Sequence, residues 1–401
     1  MTVRPLEPAD ESTLVNLKRD GFGYPSSIPR STFEADFKRS LPWLWGIEEN
    51  GRLVATAKWL PFRGYVAGRK QTFAALAAVT TAPEARRRGH VRTLLEHGLR
   101  EQHEQGVAWS SEHPFDPRFY ARYGYHAFDA GVLLDMPIEW LPGRAQDVTF
   151  ERQADGATGF RALHEPFAAQ HSFSLLREDP WRDEGDIGSD RWNNILEPDG
   201  PTAAVPTAYV TASGGYAVVA LDVTAHEPER QSLRVHDLAW RDATARADVL
   251  AMLKAWQGQV GRVRFELPAS DPLAQQTRAR FGVQRAVAQA RIVDVSSALN
   301  GLPRTAITPE GHYTVAINDA LAPWNHGTWT LDTSGDAVML ARSNTAPDAQ
   351  LSVRALAALL SGTPPVALTR SGDAEGDLTA LAAIASLHAE HPPFLPSADG
   401  F

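Results

Sequence analysis

A mixed α/β fold, α+β in its last third, is predicted by three observations. An Asn50-Gly51 pair stands between two apolar runs, the strongest short hairpin signal in the chain. A strand–turn–helix–strand order occurs twice, around residues 72–111 and again around 233–267. From about Arg291 the pattern changes to short strands followed by short apolar helices. The chain has 401 residues, and at roughly 100–200 residues per domain two to four units are expected.

Taken in order, Asp10 to Arg19 reads as a helix, and Trp45–Val54 as a hairpin turning at Asn50-Gly51. Thr72–Thr80 reads as a buried strand. The next helix carries Val91, Leu94, Leu95, Gly98 and Leu99 at i, i+3, i+4, i+7 and i+8, one face of a 3.6-residue period. Gly106 stops it and Val107–Ser111 forms the next strand. In the second copy, Leu233–Trp240 alternates as a strand. A turn at Arg241–Arg246 follows, then Val249, Leu253, Trp256 and Val260 at helical spacing, then the strand Val263–Leu267. Gly214-Gly215 reads as a turn. In the last block, Tyr313–Ile317, Thr328–Leu331 and Ala337–Leu340 read as strands, and Ser352–Leu360 and Leu378–His388 as helices. The Pro-rich stretch from His391 to Phe401 cannot be helical.

Composition removes several chemistries. With no cysteine, disulfides, thiolate metal sites, Fe–S clusters and a cysteine nucleophile are excluded. A net charge of −9 argues against a nucleic-acid partner. The N-terminus lacks a secretory apolar core, and the longest apolar stretches fall far short of the ~20 residues that span a membrane. A cytoplasmic location with no membrane partner is expected. His388 and His391 lie three apart, but without a carboxylate at a defined spacing they are expected to be solvent-exposed rather than metal ligands. Trp43, Trp45, Trp59 and Trp109 are assigned to core packing over an aromatic substrate cleft.

Arg86-Arg87-Arg88-Gly89-His90 is the most informative stretch. Cations at a helix N-terminus oppose the macrodipole, by roughly 0.3–1 kcal/mol each. A bound anion removes the conflict, since the first-turn N–H groups and arginine side chains both favour phosphate. Val79-Thr80-Thr81-Ala82-Pro83-Glu84-Ala85-Arg86-Arg87-Arg88-Gly89-His90 resembles the acetyl-CoA motif of the GCN5-related N-acetyltransferases (GNAT). Thr81 stands where the motif has a second valine, and His90 matches none of its fixed positions. Tyr120-Ala121-Arg122-Tyr123-Gly124-Tyr125 resembles the later Y-x-x-x-G-[FY] element. End to end, the chain resembles the enhanced intracellular survival (Eis) acetyltransferases. The matching pieces are Ser111-Glu112 before Tyr120, the degenerate second copy, Ala322-Pro323-Trp324-Asn325, Val353–Ala357 and Phe401. The segment His113–Arg118 is longer than in that family.

The resemblance implies tandem GNAT folds and a C-terminal sterol-carrier-protein-like α+β domain. The catalytic domain would span 1–148, the degenerate one 149–290 and the sterol-carrier-like one 291–401. It implies acetyl-CoA as co-substrate, no metal, and direct transfer to an amine. The Val79 N–H would polarise the thioester carbonyl. Thr81, Arg86, Arg87, Gly89 and His90 would hold pantetheine and pyrophosphate, with Ser111 beside the pantetheine arm. Tyr120 would protonate the leaving thiolate, with Tyr123 and Tyr125 as competitors. Ordinary pKa values near 10 for tyrosine and near 8.5 for a thiol make that transfer roughly balanced or mildly uphill. The Phe401 carboxylate would deprotonate or attract the amine. The small pair Ala77-Ala78 before Val79 would reshape the pocket wall. Implied substrates are polycationic amines, aminoglycosides above all, with protein lysines as the alternative. A lipid carrier and a CoA sensor are the readings from other classes. A homo-oligomer, commonly a hexamer, is also implied.

Overall fold

The computed structural model describes residues 2–23, 28–154, 158–177, 204–222, 231–277 and 283–400. The first copy supplies β1 (Thr2–Pro5), β2 (Leu44–Glu49), β3 (Arg52–Val66), β4 (Arg69–Thr81), β5 (Trp109–Glu112) and β6 (His126–Pro137). Its helices are α1 (Glu11–Phe22), α2 (Arg30–Ser40), α3 (His90–Glu104) and α4 (Pro117–Ala121). The second supplies β7 (Phe150–Arg152), β8 (Thr207–Thr211), β9 (Gly215–Asp222), β10 (Ser232–Trp240), β11 (Arg262–Leu267) and β12 (Val283–Ile292). Among the described residues these form one 12-stranded sheet, ordered β1-β2-β3-β4-β5-β12-β6-β11-β10-β9-β8-β7. The copies exchange their last strands. β12 lies antiparallel between β5 and β6, and the other edge of β6 pairs with β11. A cut at residue 148 therefore divides the chain but not the sheet.

The local signals translate directly. Asn50 and Gly51 both have positive φ, 51° and 74°, as a two-residue hairpin turn matching the strand twist requires. Helix α3 buries Leu94, Leu95, Gly98 and Leu99. Each leucine withdrawn from water stabilises by about 1.5–3 kcal/mol. At Gly98 an added Cβ would lie 2.2 Å from the Trp59 ring, so the small residue sets how closely helix and sheet approach. Trp59 and Trp109 are core residues, whereas Trp43 and Trp45 are half-buried. The turn expected over Arg241–Arg246 is shorter, because the helix Ala243–Met252 already starts at Ala243 under an Asp242 cap.

The C-terminal part holds β13 (His312–Asn318), β14 (Gly327–Asp332), β15 (Met339–Arg342), β16 (Ala349–Ser352) and β17 (Ala374–Gly376), ordered β15-β14-β13-β16-β17. The strand expected at Ala337–Leu340 begins at Met339. Ala337 instead bridges Pro303, and Val338 exchanges backbone hydrogen bonds with Gly301 and Leu302. The helices Val353–Leu360 and Leu378–Ser386 pack into a core shared with Phe73, Trp109 and Phe128 of the first copy. Asn325 of the Ala322–Asn325 piece is buried, donates to the Val293 carbonyl and accepts from the Val295 N–H. Contrary to expectation, His388 and His391 are both half-buried; burial lowers the His388 pKa, and His391 Nδ1 lies 3.1 Å from the Ala169 carbonyl. Among the described residues, no helix is long and apolar enough to cross a membrane.

Candidate active site

Strands β4 and β5 run parallel only from Phe73↔Trp109 to Ala75↔Ser111, then splay apart. On its other edge β4 carries a bulge. Its pairing with β3 jumps from Lys58↔Ala77 to Thr56↔Thr80, so β4 has one residue more than its partner. Ala78, inside the bulge, has φ 49°. A β-branched or bulky residue would be strained there, which gives the small Ala78 a backbone reason. Val79 therefore sits on the bulge, at the mouth of the splay, where backbone groups are re-aimed.

Beyond β4 the chain turns through Arg86–Gly89 into α3. Arg87 and Gly89 are both left-handed, at φ 63° and 86°. Alternating conformations of this kind turn successive N–H groups toward one point, a concavity suited to anions. Gly89 is the N-cap of α3, and no side chain caps that end. A Cβ added at Gly89 would meet nothing within 4 Å, so the helix N-terminus is open. The three arginines divide. Arg88 reaches back to Glu49 at 3.1 Å and to the Glu84 carbonyl at 2.7 Å. Arg86 donates to the Thr81 carbonyl at 3.3 Å. Arg87 makes no hydrogen bond or ion pair among the described residues. His90 is buried, with Nε2 3.3 Å from Glu49.

A cleft of about 800 Å³ opens here. One wall brings together Val79, Thr81, Arg86, Arg87, Gly89 and His90. The other carries Phe22, Phe115, Phe119 and Tyr123. Inside the splay, the hydroxyls of Thr81 and Ser111 are buried without a hydrogen-bond partner. Buried polar groups are normally satisfied, so these two are suited to a polar ligand. The donor set thus fits a pantetheine amide chain ending in a pyrophosphate.

Tyr120 does not line the cleft. It is 4% exposed, in ring contact with Phe115, Phe119 and Tyr125. Burial first, and then the neighbouring Glu112, push its hydroxyl well above the usual phenol range. The proton is thus held more firmly than ordinary pKa values suggest, and transfer to a thiolate is more steeply uphill in the free protein than those values imply. Tyr125 is fully buried, its hydroxyl 2.7 Å from Ser110 Oγ. The His113–Arg118 segment builds its own helix start, with the Asp116 carboxylate accepting from the Arg118 N–H at 3.0 Å. Arg291 on β12 donates to the Tyr123 carbonyl and holds Asp319 with two bonds of 2.8 Å, fastening the aromatic turn to the C-terminal domain.

Phe401 lies outside the described residues. The approach to it is anchored. The Leu395 N–H donates to the Ala130 carbonyl, Ser397 donates twice to Glu266, and Asp399 is buried against Arg177. One residue that sequence reasoning left without a role is Glu112, a buried carboxyl at the end of β5. A glutamate closing a strand carries no sequence mark of burial.

A bulged strand splayed from its parallel neighbour and followed by an open, arginine-bearing helix N-terminus is an arrangement that would suit an acyl-CoA-type ligand. Residues 2–128 match the acetyltransferase (GNAT) domain family, and residues 295–396 match the sterol carrier protein domain family. An uncharacterised N-acetyltransferase of Streptomyces coelicolor is 26% identical over 331 residues, covering 77% of this chain and 76% of that one. A GCN5-related N-acetyltransferase from Anabaena variabilis superposes with a TM-score of 0.83 at 19% identity, over 100% of both chains. Eis1 from Mycobacterium abscessus gives 0.77 at 19% identity, also over 100% of both. The chain is a GNAT-type N-acetyltransferase with a C-terminal sterol carrier domain, and its whole-chain fold is shared with Eis1.

Proposed function

We propose that this enzyme moves the acetyl group of acetyl-CoA directly to a primary amine of a polycationic small molecule, an aminoglycoside in the first instance. The observation that carries the acetyl-CoA part is the open N-terminus of α3 facing a cleft beside the β4 bulge. Arg86, Arg87 and the first-turn N–H groups would hold the pyrophosphate, and the Thr81 and Ser111 hydroxyls the pantetheine arm. Bound there, acetyl-CoA supplies an activated acyl carbon. The Val79 N–H would stabilise the developing oxyanion, a contribution worth a few kcal/mol in preorganised sites. Tyr120 would release its proton to the departing sulfur. The Phe401 carboxylate would draw the ammonium group in. A net charge of −9 supports attraction of a polycation.

The test is a thiol-release assay with acetyl-CoA against a panel of aminoglycosides, linear polyamines and lysine peptides. Aminoglycosides are expected to give the fastest release, and preference for lysine peptides would replace them with protein substrates. Tyr120→Phe should lower kcat about 100-fold, the scale of general acid catalysis, and removal of Phe401 should lower kcat without shifting the melting midpoint. Parent rates in either variant remove that residue from the reaction.

A further inference from the structure

Glu112 sits at a place that invites chemistry. It is one step past Ala75↔Ser111, the last parallel pair before the splay, and it pairs across β12 with Gln289. Side chains alternate along a strand, so Glu112 shares a face with Ser110. That face is the tyrosine face, since Ser110 Oγ lies 2.7 Å from the Tyr125 hydroxyl and the Tyr125 and Tyr120 rings are 5.9 Å apart. Glu112 is 2% exposed, and its Oε1 has no hydrogen-bond partner.

Among the described residues, no cation pairs with it. Among the titratable and charged groups around this face, α4 and the turn after it present Tyr120 and Tyr125, and β12 presents Arg291. The Arg291 guanidinium is committed to Asp319 and to the Tyr123 carbonyl. On β4, Phe73, Ala74, Ala75 and Leu76 bring no ionisable group. A buried carboxyl without a countercharge is disfavoured as an anion, and burial pushes Glu112 up to about 8. It is thus a carboxylic acid at neutral pH, and among the ionisable neighbours of the Tyr120 hydroxyl it is the one whose ionisation would act most strongly on it.

We propose that Glu112 is the proton store of the transfer reaction, returning a proton to the Tyr120 oxygen once Tyr120 has protonated the leaving sulfur. The inference rests on Tyr120 being the acid. As the amine nitrogen bonds to the acyl carbon, the C–S bond breaks and sulfur takes the phenolic proton. The buried tyrosinate so formed takes the Glu112 proton. The Glu112 carboxylate then recovers, through water, the proton shed by the acetylated nitrogen. One amine proton ends on sulfur, and the protein is returned to its starting state. Without the store, each turnover leaves a tyrosinate in a site that burial makes hostile to it.

Glu112→Gln keeps the shape of the neutral carboxyl but cannot give up a proton in this way. Glu112→Asp keeps the acid and shortens its reach. The expected result, with the panel's fastest amine, is kcat lowered 10- to 100-fold in Glu112→Gln. KM for acetyl-CoA should stay within threefold, with partial recovery in Glu112→Asp. The parent's kcat should fall above about pH 8, and that limb should vanish in Glu112→Gln. A merely structural glutamate would leave both kcat and the limb unchanged in the Gln variant, which overturns the proposal. Tyr120→Phe run beside it separates the two failures. Loss in Tyr120→Phe with parent kcat in Glu112→Gln refutes Glu112 alone, whereas parent kcat in Tyr120→Phe refutes the acid as well as its store.

Discussion

The two copies of the strand–turn–helix unit differ most at one point, the N-terminus of the helix that follows the splayed strand. In the first copy Gly89 leaves the end of α3 uncapped and open, with Arg86 and Arg87 at its mouth. In the second, the Asp242 carboxylate accepts from the Ala245 N–H at 2.9 Å, and Arg241 pairs with that same carboxylate. The splay is treated alike. β10 and β11 run parallel only over Ser232–Arg234. There Ser397 holds Glu266 on β11, while Asp399 meets Arg177, which in turn holds Asp237 on β10 at 2.6 Å. The backbone is the same in plan. What differs is whether its free N–H groups and carboxylates are already partnered within the chain.

The largest expected effect comes from reopening the closed copy. Arg177 stands between Asp237 and Asp399, all three essentially buried. Arg177→Ala leaves two buried carboxylates without their cation and should cost about 3–5 kcal/mol of stability, read from denaturant unfolding. A loss below a quarter of that would mean that the tail is not locked there. Closing the open copy comes next. Gly89→Asp places a carboxylate where an anion is to bind and should raise KM for acetyl-CoA about 10-fold or more. The left-handed backbone adds a stability loss of about 1–2 kcal/mol. An unchanged KM would separate cofactor binding from this helix end. The smallest effect belongs to Asp242→Ala. It should cost about 1 kcal/mol through the lost cap, with kcat and KM unchanged and CoA stoichiometry still one per chain in calorimetry. A second CoA site would show that the cap alone had kept the second copy silent.

Sequence reading served well where the signal is local. The Asn50-Gly51 turn, the α3 stripe and the open Gly89 end depend on residues a few positions apart. It failed where the partner is distant in the chain. Arg88 is drawn away from the open end of α3 by Glu49, Val338 is claimed by the 301–302 backbone, and His391 meets Ala169. Glu112 closes a strand whose outer edge is paired only by β12, more than 170 positions downstream. Tyr120 was legible as a motif residue, but its ring contacts with Phe115 and Phe119, away from the cleft wall, were not.

The strand exchange bears on how such a protein is made. On the ribosome, β5 emerges with β4 already available on one edge, yet its other neighbour is encoded at Val283–Ile292. The catalytic half must wait, with an exposed sheet edge, until most of the chain has been translated, and such edges invite wrong pairings. The two halves are therefore not interchangeable parts. A gene fragment ending between them would encode neither half's finished sheet.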